Sequence, residues 1–408
     1  MAWAVAVFVL TYLLISFQNI PGVHIHRPAA ALVGATAMVV LGVVRLDQAY
    51  RLVDMDTLAF ILGMMVLIGY LELSGFFQRV ESAVLARART PRQLLALVVA
   101  SSGLLSALFM NDTVCLMLTP LVLRVTRRAG LSPNAYLVAL ATAANIGSAM
   151  TPMGNPQNMI VAVHSRIPFL PFVLTLAPLA LAGLALDYWA VGLAYAGDLS
   201  AAELPPAPAA AEAPGDERLL AVCLGATVLL LALFMLGVPP PLAALASACA
   251  VIVLGATRPR AAFRHVDWEL LLMFAGLFVV MGGLRASGAL ERLFAAAASF
   301  AGRSLPARLA AVSAASAVGS NVVSNVPCVV FLVQLLPGLG GGRALWLALA
   351  WASTVAGNLT LIGSVANLIV LETSKGETRV GFWEYCRVGA PVALLLIAAG
   401  TGYLALVG

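Results

Sequence analysis

The chain repeats itself at a constant offset. Val53-Asp54 recurs as Val266-Asp267, Gly63 as Gly276, Gly69 as Gly282, Ser74-Gly75 as Ser287-Gly288 and Arg79 as Arg292, each pair 213 apart (267 − 54; 288 − 75). The same spacing carries Pro28 onto Pro241, Cys115 onto Cys328 and Asn145 onto Asn358. A register held over so much of a 408-residue chain marks a duplicated structural unit. It divides the sequence into residues 1–196, a linker 197–217 rich in Ala, Pro and acidic residues, and residues 218–408.

The solvent for both units is lipid. Only 10% of residues are charged against 62% in the apolar set, too few to cover a water-soluble surface. The charges cluster between apolar stretches of about 17 to 25 residues, the length that crosses a bilayer core. In the first unit the expected spans are 3–20, 28–45 and 57–73. An amphipathic Arg-bearing stretch 76–90 follows, then a helical hairpin 93–128 turning at Asn111-Asp112, an interrupted span 135–165 and a closing span 169–196. A hairpin that enters and leaves on one side gives five crossings per unit, and an odd number turns the second copy upside down. The expected fold is therefore an all-α polytopic membrane protein of two inverted repeats, each with five crossings, a re-entrant helical hairpin and a broken helix. The apolar N-terminus reads as a retained first span.

Placing the linker in the cytoplasm puts 15 of the 23 Lys and Arg residues on that face and 8 on the other, although Arg285, Arg292, Arg303 and Arg308 oppose the rule. This predicts a multi-pass inner (plasma) membrane protein with both termini periplasmic. The net charge of +5 is then a loop bias and not a nucleic-acid signal. No GxxxxGK[ST] motif is present to bind a nucleotide, so energy must come from an ion gradient or a partner. Cys115, Cys223, Cys249, Cys328 and Cys386 lack CxxC spacing, and the His residues fall in loops or at a span end; neither a metal site nor a cofactor is expected. An integral-membrane enzyme would need a cluster of acids, His or a nucleophile–base pair in the spans, which the sequence does not offer.

Four segments place polar groups and helix breakers inside apolar runs: Met110 to Thr113, Asn145 to Asn158, Ser320 to Pro327 and Gly357 to Asn367. Irregular backbone at membrane depth must line a cavity or be enclosed by protein, so these four tips are expected to face one another. Pro152 and Pro156 stop the first interrupted span, exposing carbonyls at one break and amides at the other. Candidate substrate- and ion-binding residues are Asn111, Asp112, Thr113, Asn145, Thr151, Gly154, Asn155 and Asn158 in the first unit. Ser324, Asn325, Asn358, Thr360, Gly363, Ser364 and Asn367 are their candidates in the second. Asp112 is a carboxylate at a hairpin tip whose repeat mate is the neutral Asn325, which suits it to carry a proton; helix capping is the alternative use. Glu72 and Arg285 are expected at the interface, and Asp187, followed by Tyr188-Trp189, at a membrane boundary.

At these residues the sequence resembles the ion transporter superfamily, and within it the arsenical pump membrane protein (arsenite/antimonite permease) family and its relatives. The resemblance rests on Asn111-Asp112-Thr113 with the run to Thr119-Pro120, on Asn145-Ile146-Gly147, on Thr151-Pro152 with Gly154-Asn155-Pro156, and on Asn358-Leu359-Thr360 with Gly363-Ser364. It covers essentially the whole chain. Divalent anion sodium symporters of the superfamily carry Ser-Asn-Thr at both tips, whereas these tips read Asn111-Asp112-Thr113 and Ser324-Asn325-Val326. The resemblance implies an elevator-like or rocking secondary transporter extruding a small inorganic anion or metalloid hydroxide, such as arsenite or antimonite, coupled to protons through Asp112. Sodium/proton antiport and sodium-coupled anion or dicarboxylate symport are the alternatives. The implied partners are that substrate, a coupling proton or sodium ion and the bilayer, with a homodimer and a cytoplasmic ATPase as further candidates.

Overall fold

The computed structural model describes residues 1–16, 26–200, 204, 215–255, 259–290, 292, 295 and 304–407. His24, Arg258, Arg303, most of the linker and much of the second Arg-bearing stretch lie outside the described residues.

The regular elements among the described residues are helices. The first unit contains α1 (Ala2–Ser16), α2 (Arg27–Val40), α3 (Leu46–Leu52), α4 (Met55–Leu73) and α5 (Phe76–Arg87). It continues with α6 (Pro91–Leu108), α7 (Asn111–Ala129), α8 (Asn134–Ser148), α9 (Pro156–Ser165) and α10 (Phe169–Ala194). The second contains α11 (Glu217–Met235), α12 (Pro240–Leu254), α13 (Pro259–Phe263) and α14 (Trp268–Ala286). After it come α15 (Leu305–Val323), α16 (Asn325–Leu335) with a 3₁₀ turn Leu336–Leu339, α17 (Arg343–Val355), α18 (Val365–Ser374) and α19 (Phe382–Val407).

Among the described residues six helices are long and apolar enough to cross a membrane: α4, α6, α10, α11, α14 and α19. Helices α1, α2 and α12 have 15, 14 and 15 residues and reach about 21 to 22 Å, short of a full hydrocarbon core. Capping is local and legible: Asp54 accepts from the Thr57 amide and its repeat mate Asp267 from the Leu270 amide, so α4 and α14 start at equivalent positions.

The units embrace by exchanged contacts. A Cβ on Gly63 of α4 would sit 2.7 Å from the Ala244 carbonyl carbon of α12, and one on Gly276 of α14 would sit 2.7 Å from that of Ala31 in α2. Both partners are again 213 apart (276 − 63; 244 − 31), so each glycine lets the repeat-mate backbone approach as close as helices can pack. Near the end of α4, Gly69 abuts His265, just before α14; near the end of α14, Gly282 abuts Leu52, just before α4. The repeat-mate helices α4 and α14 therefore run antiparallel. Asn145 and its repeat mate Asn358 touch directly, Asn145 Nδ2 donating to Asn358 Oδ1.

Candidate functional site

Two broken helices cross at the centre. Helix α8 stops at Ser148 and α9 resumes at Pro156; Asn155 caps α9 by accepting from the Asn158 amide at 2.8 Å. Asn158 ties the break shut, donating to the Ser148 carbonyl at 3.2 Å and the Thr151 carbonyl at 3.0 Å. Asn367 does the same job in the other unit, donating to the Gly357 carbonyl at 2.8 Å and the Thr360 carbonyl at 3.2 Å, with Ser364 capping α18. The loop carbonyls that a break would orphan are thus satisfied by one Asn in each unit. Gly154 and Gly363 allow the tight folds: a Cβ at either would lie 2.3 Å from the Ser148 oxygen or 2.7 Å from Asn321 Oδ1.

An amide hub joins these breaks to the first hairpin. Asn111 Nδ2 donates to Asn145 Oδ1 at 2.9 Å, and Ser364 Oγ donates to the same oxygen at 3.0 Å. Asn145 Nδ2 in turn donates to Asn358 Oδ1 at 2.8 Å and Asn367 Oδ1 at 3.0 Å. The Asn111 backbone amide donates to the Gly154 carbonyl at 3.0 Å, while the Asn325 amide, turned with nitrogen inward, donates to Gly363 at 3.0 Å and Ser353 at 3.2 Å. Each hairpin tip is therefore fastened to the glycine of one loop.

Beside the hub lies a cavity of about 270 Å³. Of the sequence candidates Asn111, Asp112, Ser324, Asn325 and Ser364 line it. Asn145, Asn155, Asn158, Asn358 and Asn367 do not; they are buried behind it and bond to one another and to the loops. Thr151 donates to the Ala107 carbonyl, Thr360 to Asn321 Oδ1 at 2.8 Å, and Thr113 faces a smaller neighbouring cavity with Asp112. The hairpin's returning helices α7 and α16 begin at the cavity with no side-chain cap, leaving amides free at their positive ends. Ser324 holds φ +77° and ψ +157°, a region that glycine alone occupies readily, so the second tip is strained where it meets the cavity.

Three lining groups escaped the sequence reading. Arg27, at the start of α2, reaches Ser324 Oγ at 3.4 Å, and its Nε is buried without a partner. Asp267 and Glu269, at the start of α14, face the same cavity. In sequence Arg27 is one basic residue beside a span boundary, and Asp267 stands out only as the repeat mate of Asp54; only the packing of α2 against α14 brings both to the hairpins. Asp187 is fully buried in α10, where its Oδ2 accepts from Thr142 Oγ1 at 3.0 Å while its Oδ1 has no partner. Glu72, expected at an interface, bonds to His265 at 2.8 Å. Cys115 and Cys328 are buried and do not line the cavity.

Residues 12–356 match the citrate transporter family, CitMHS, over most of the chain. The chain belongs to this family. The silicon efflux transporter LSI3 of Oryza sativa subsp. japonica is 30% identical to this CitMHS member over 96% of this chain and 95% of its own length. The uncharacterized transporter Rv2684 of Mycobacterium tuberculosis is 32% identical over 98% and 97% of the two chains. The crystal structure of the Alcanivorax borkumensis YdaH transporter superposes over 99% of this chain and 96% of its own with a TM-score of 0.61 at 16% identity, a likeness of fold. These relatives are transporters and not enzymes; this CitMHS member is a polytopic membrane transporter.

Proposed function

We propose that the chain is a secondary active transporter that extrudes a small inorganic anion or metalloid hydroxide, with arsenite and antimonite as the leading substrates, coupled to protons that bind Asp112. The observation that carries this reading is a pair of buried, unpartnered polar atoms in cavity-lining residues: the acceptor Asn111 Oδ1 and the donor Arg27 Nε. A hydroxylated solute donates to the first and accepts at the second. The lining sets three carboxyl groups, Asp112, Asp267 and Glu269, against one guanidinium, Arg27, an acidic excess that disfavours a multiply charged carboxylate and tolerates a neutral hydroxide. One full-length relative is named as a silicon efflux transporter. The same acidic lining favours, as a second reading, a cation exchanged for protons.

Each unit is a structural domain, 1–196 and 218–408, and the two are inverted across the membrane. The antiparallel pair α4 and α14, both long enough to span, supports this. Gly215, at the end of the linker, packs on the Ser74 carbonyl beside the C-terminal end of α4, the end at which Arg27 and Asp267 stand. With a cytoplasmic linker in the inner membrane, the cavity faces the cytoplasm and both termini the periplasm. Cysteines introduced at Gly130 and at its repeat mate Arg343, exposed at the ends of the hairpins away from the shared cavity, are then labelled from opposite faces; labelling of both from one face refutes the inversion.

The test of coupling is transport of arsenite in vesicles with an imposed pH gradient, wild type against Asp112→Asn at matched protein level. A carboxyl that carries the proton binds it below its pKa and releases it above, so the mutant loses gradient-driven transport and its pH dependence while exchange persists. Gradient-driven transport at the wild-type rate refutes the role of Asp112. Proton movement on adding sodium alone, without arsenite, identifies the antiport reading instead.

A further inference from the structure

Asp112 stands between two cavities. Besides the cavity of the hub, it borders a second one of about 150 Å³, lined by Glu72 and Gly69 of α4, Thr113 of the hairpin, His265 and Asp267 ahead of α14, and Ile369 of α18. At about 30 Å³ per water this space admits several water molecules. The two cavities share Asp112, Asp267 and Leu270; Arg27, Asn111, Ser324, Asn325 and Ser364 belong to the first alone. At the wall of the second, His265 Nδ1 and Glu72 Oε2 lie 2.8 Å apart with side chains 32% and 21% exposed, so the pair reaches both solvent and the cavity.

We propose that the second cavity is a water-filled proton path to Asp112, separate from the substrate cavity, with the His265 and Glu72 pair as its relay. The inference rests on the reading of Asp112 as the proton-binding group. In net terms one proton passes from bulk water to the pair, through cavity water, to the Asp112 carboxylate, which becomes a carboxylic acid; nothing is oxidised or reduced. Histidine beside a carboxylate suits this role because it exchanges protons near neutral pH. A separate path also solves a geometric problem. A substrate seated against Asn111 and Ser324 fills the first cavity beside Asp112, and Arg27 in the same lining further disfavours an approaching cation.

The charged and titratable groups that face Asp112 are His26 and Arg27 from α2, Asp267 and Glu269 from α14, Glu72 from α4, His265, and Cys115 one turn along its own helix. The acids hold a proton near the carboxyl and Arg27 opposes it, so changing Glu72 or His265 alters both how fast and at what pH Asp112 fills.

The experiment uses the full chain in liposomes and needs no substrate. After a rapid drop in pH, time-resolved infrared absorption follows the carboxyl C=O band that is absent in Asp112→Asn. In Glu72→Gln and His265→Gln the rise of that band slows by about tenfold or more. Because either substitution could disturb the packing of α4 on the α14 approach, a second pair of variants blocks each cavity after folding. In a protein with Cys249→Ser and Cys386→Ser, Ile68→Cys is placed in the second cavity and Val365→Cys in the first, and each is modified with a bulky methanethiosulfonate. Modification at position 68 slows the band and modification at position 365 leaves it unchanged. If the block at 365 slows it as much or more, protons arrive through the substrate cavity and the proposal is overturned while Asp112 keeps its role. If no band assignable to Asp112 changes with pH, the proton-binding reading itself fails, and the proposed path with it.

Discussion

Asn145→Ala removes the residue at which both hairpin and broken-helix elements meet. Its amide satisfies two acceptors, Asn358 Oδ1 and Asn367 Oδ1, and its oxygen two donors, Asn111 Nδ2 and Ser364 Oγ. After truncation Asn358 Oδ1 keeps the Tyr385 hydroxyl at 3.3 Å, but Asn111 Nδ2, Ser364 Oγ and Asn367 Oδ1 each lose the partner they have in the hub. Three buried polar groups at about 1–3 kcal/mol each give roughly 3–9 kcal/mol. The lower end applies, because Asn111 and Ser364 border the cavity and water there replaces part of the loss. The assay is denaturant unfolding in mixed micelles followed by tryptophan fluorescence, with Asn358→Ala and the double mutant completing a cycle. The hub predicts a coupling of about 0.5–3 kcal/mol between Asn145 and Asn358. A single mutant within about 0.5 kcal/mol of wild type, with no coupling, refutes the argument that these amides hold the two broken helices together.

Arg27→Gln separates anionic from neutral substrates: binding of an anion weakens by about ten- to a hundredfold, since a charge-assisted hydrogen bond worth about 1.5–3 kcal/mol is lost, whereas arsenite transport near neutral pH falls by less than about threefold. Parallel concentration series for the two species decide it. Ser324→Gly relieves the positive φ at the second tip and raises stability to unfolding by about 1 kcal/mol, unless the tip changes conformation when the hydroxyl no longer meets Arg27; a loss of stability refutes the strain. Asp187→Asn keeps the contact with Thr142, and Asp187→Leu gives an equal yield of folded protein, because the Thr142 hydroxyl still donates to the Val138 carbonyl at 2.8 Å and the change removes the unpartnered Asp187 Oδ1. A yield lost in Asp187→Leu alone refutes this.

The offset of 213 and the four polar interruptions were legible from residue identity alone, because a duplicated helix order and prolines inside apolar runs act locally on the backbone. The observed starts of α4 and α14, capped by Asp54 and Asp267, follow from that local chemistry. The split among the asparagines did not. Asn111, Asn145 and Asn158 look alike in sequence, and only the crossing of the two breaks makes Asn111 a cavity residue, Asn145 the partner of its own repeat mate and Asn158 a clamp on its own loop. Arg27 was unreadable for a related reason: it sits outside every interrupted segment, and reaches Ser324 because Gly276 lets α2 pack against α14 at backbone contact. The contact of Asp187 with Thr142 was equally out of reach, because it joins α10 to α8, 45 residues apart in the chain. Sequence determined which segments break and which charges stand at their ends, since those depend on neighbours along the chain; tertiary structure decided which polar groups face the cavity and which face one another, since that depends on how the two copies pack against each other.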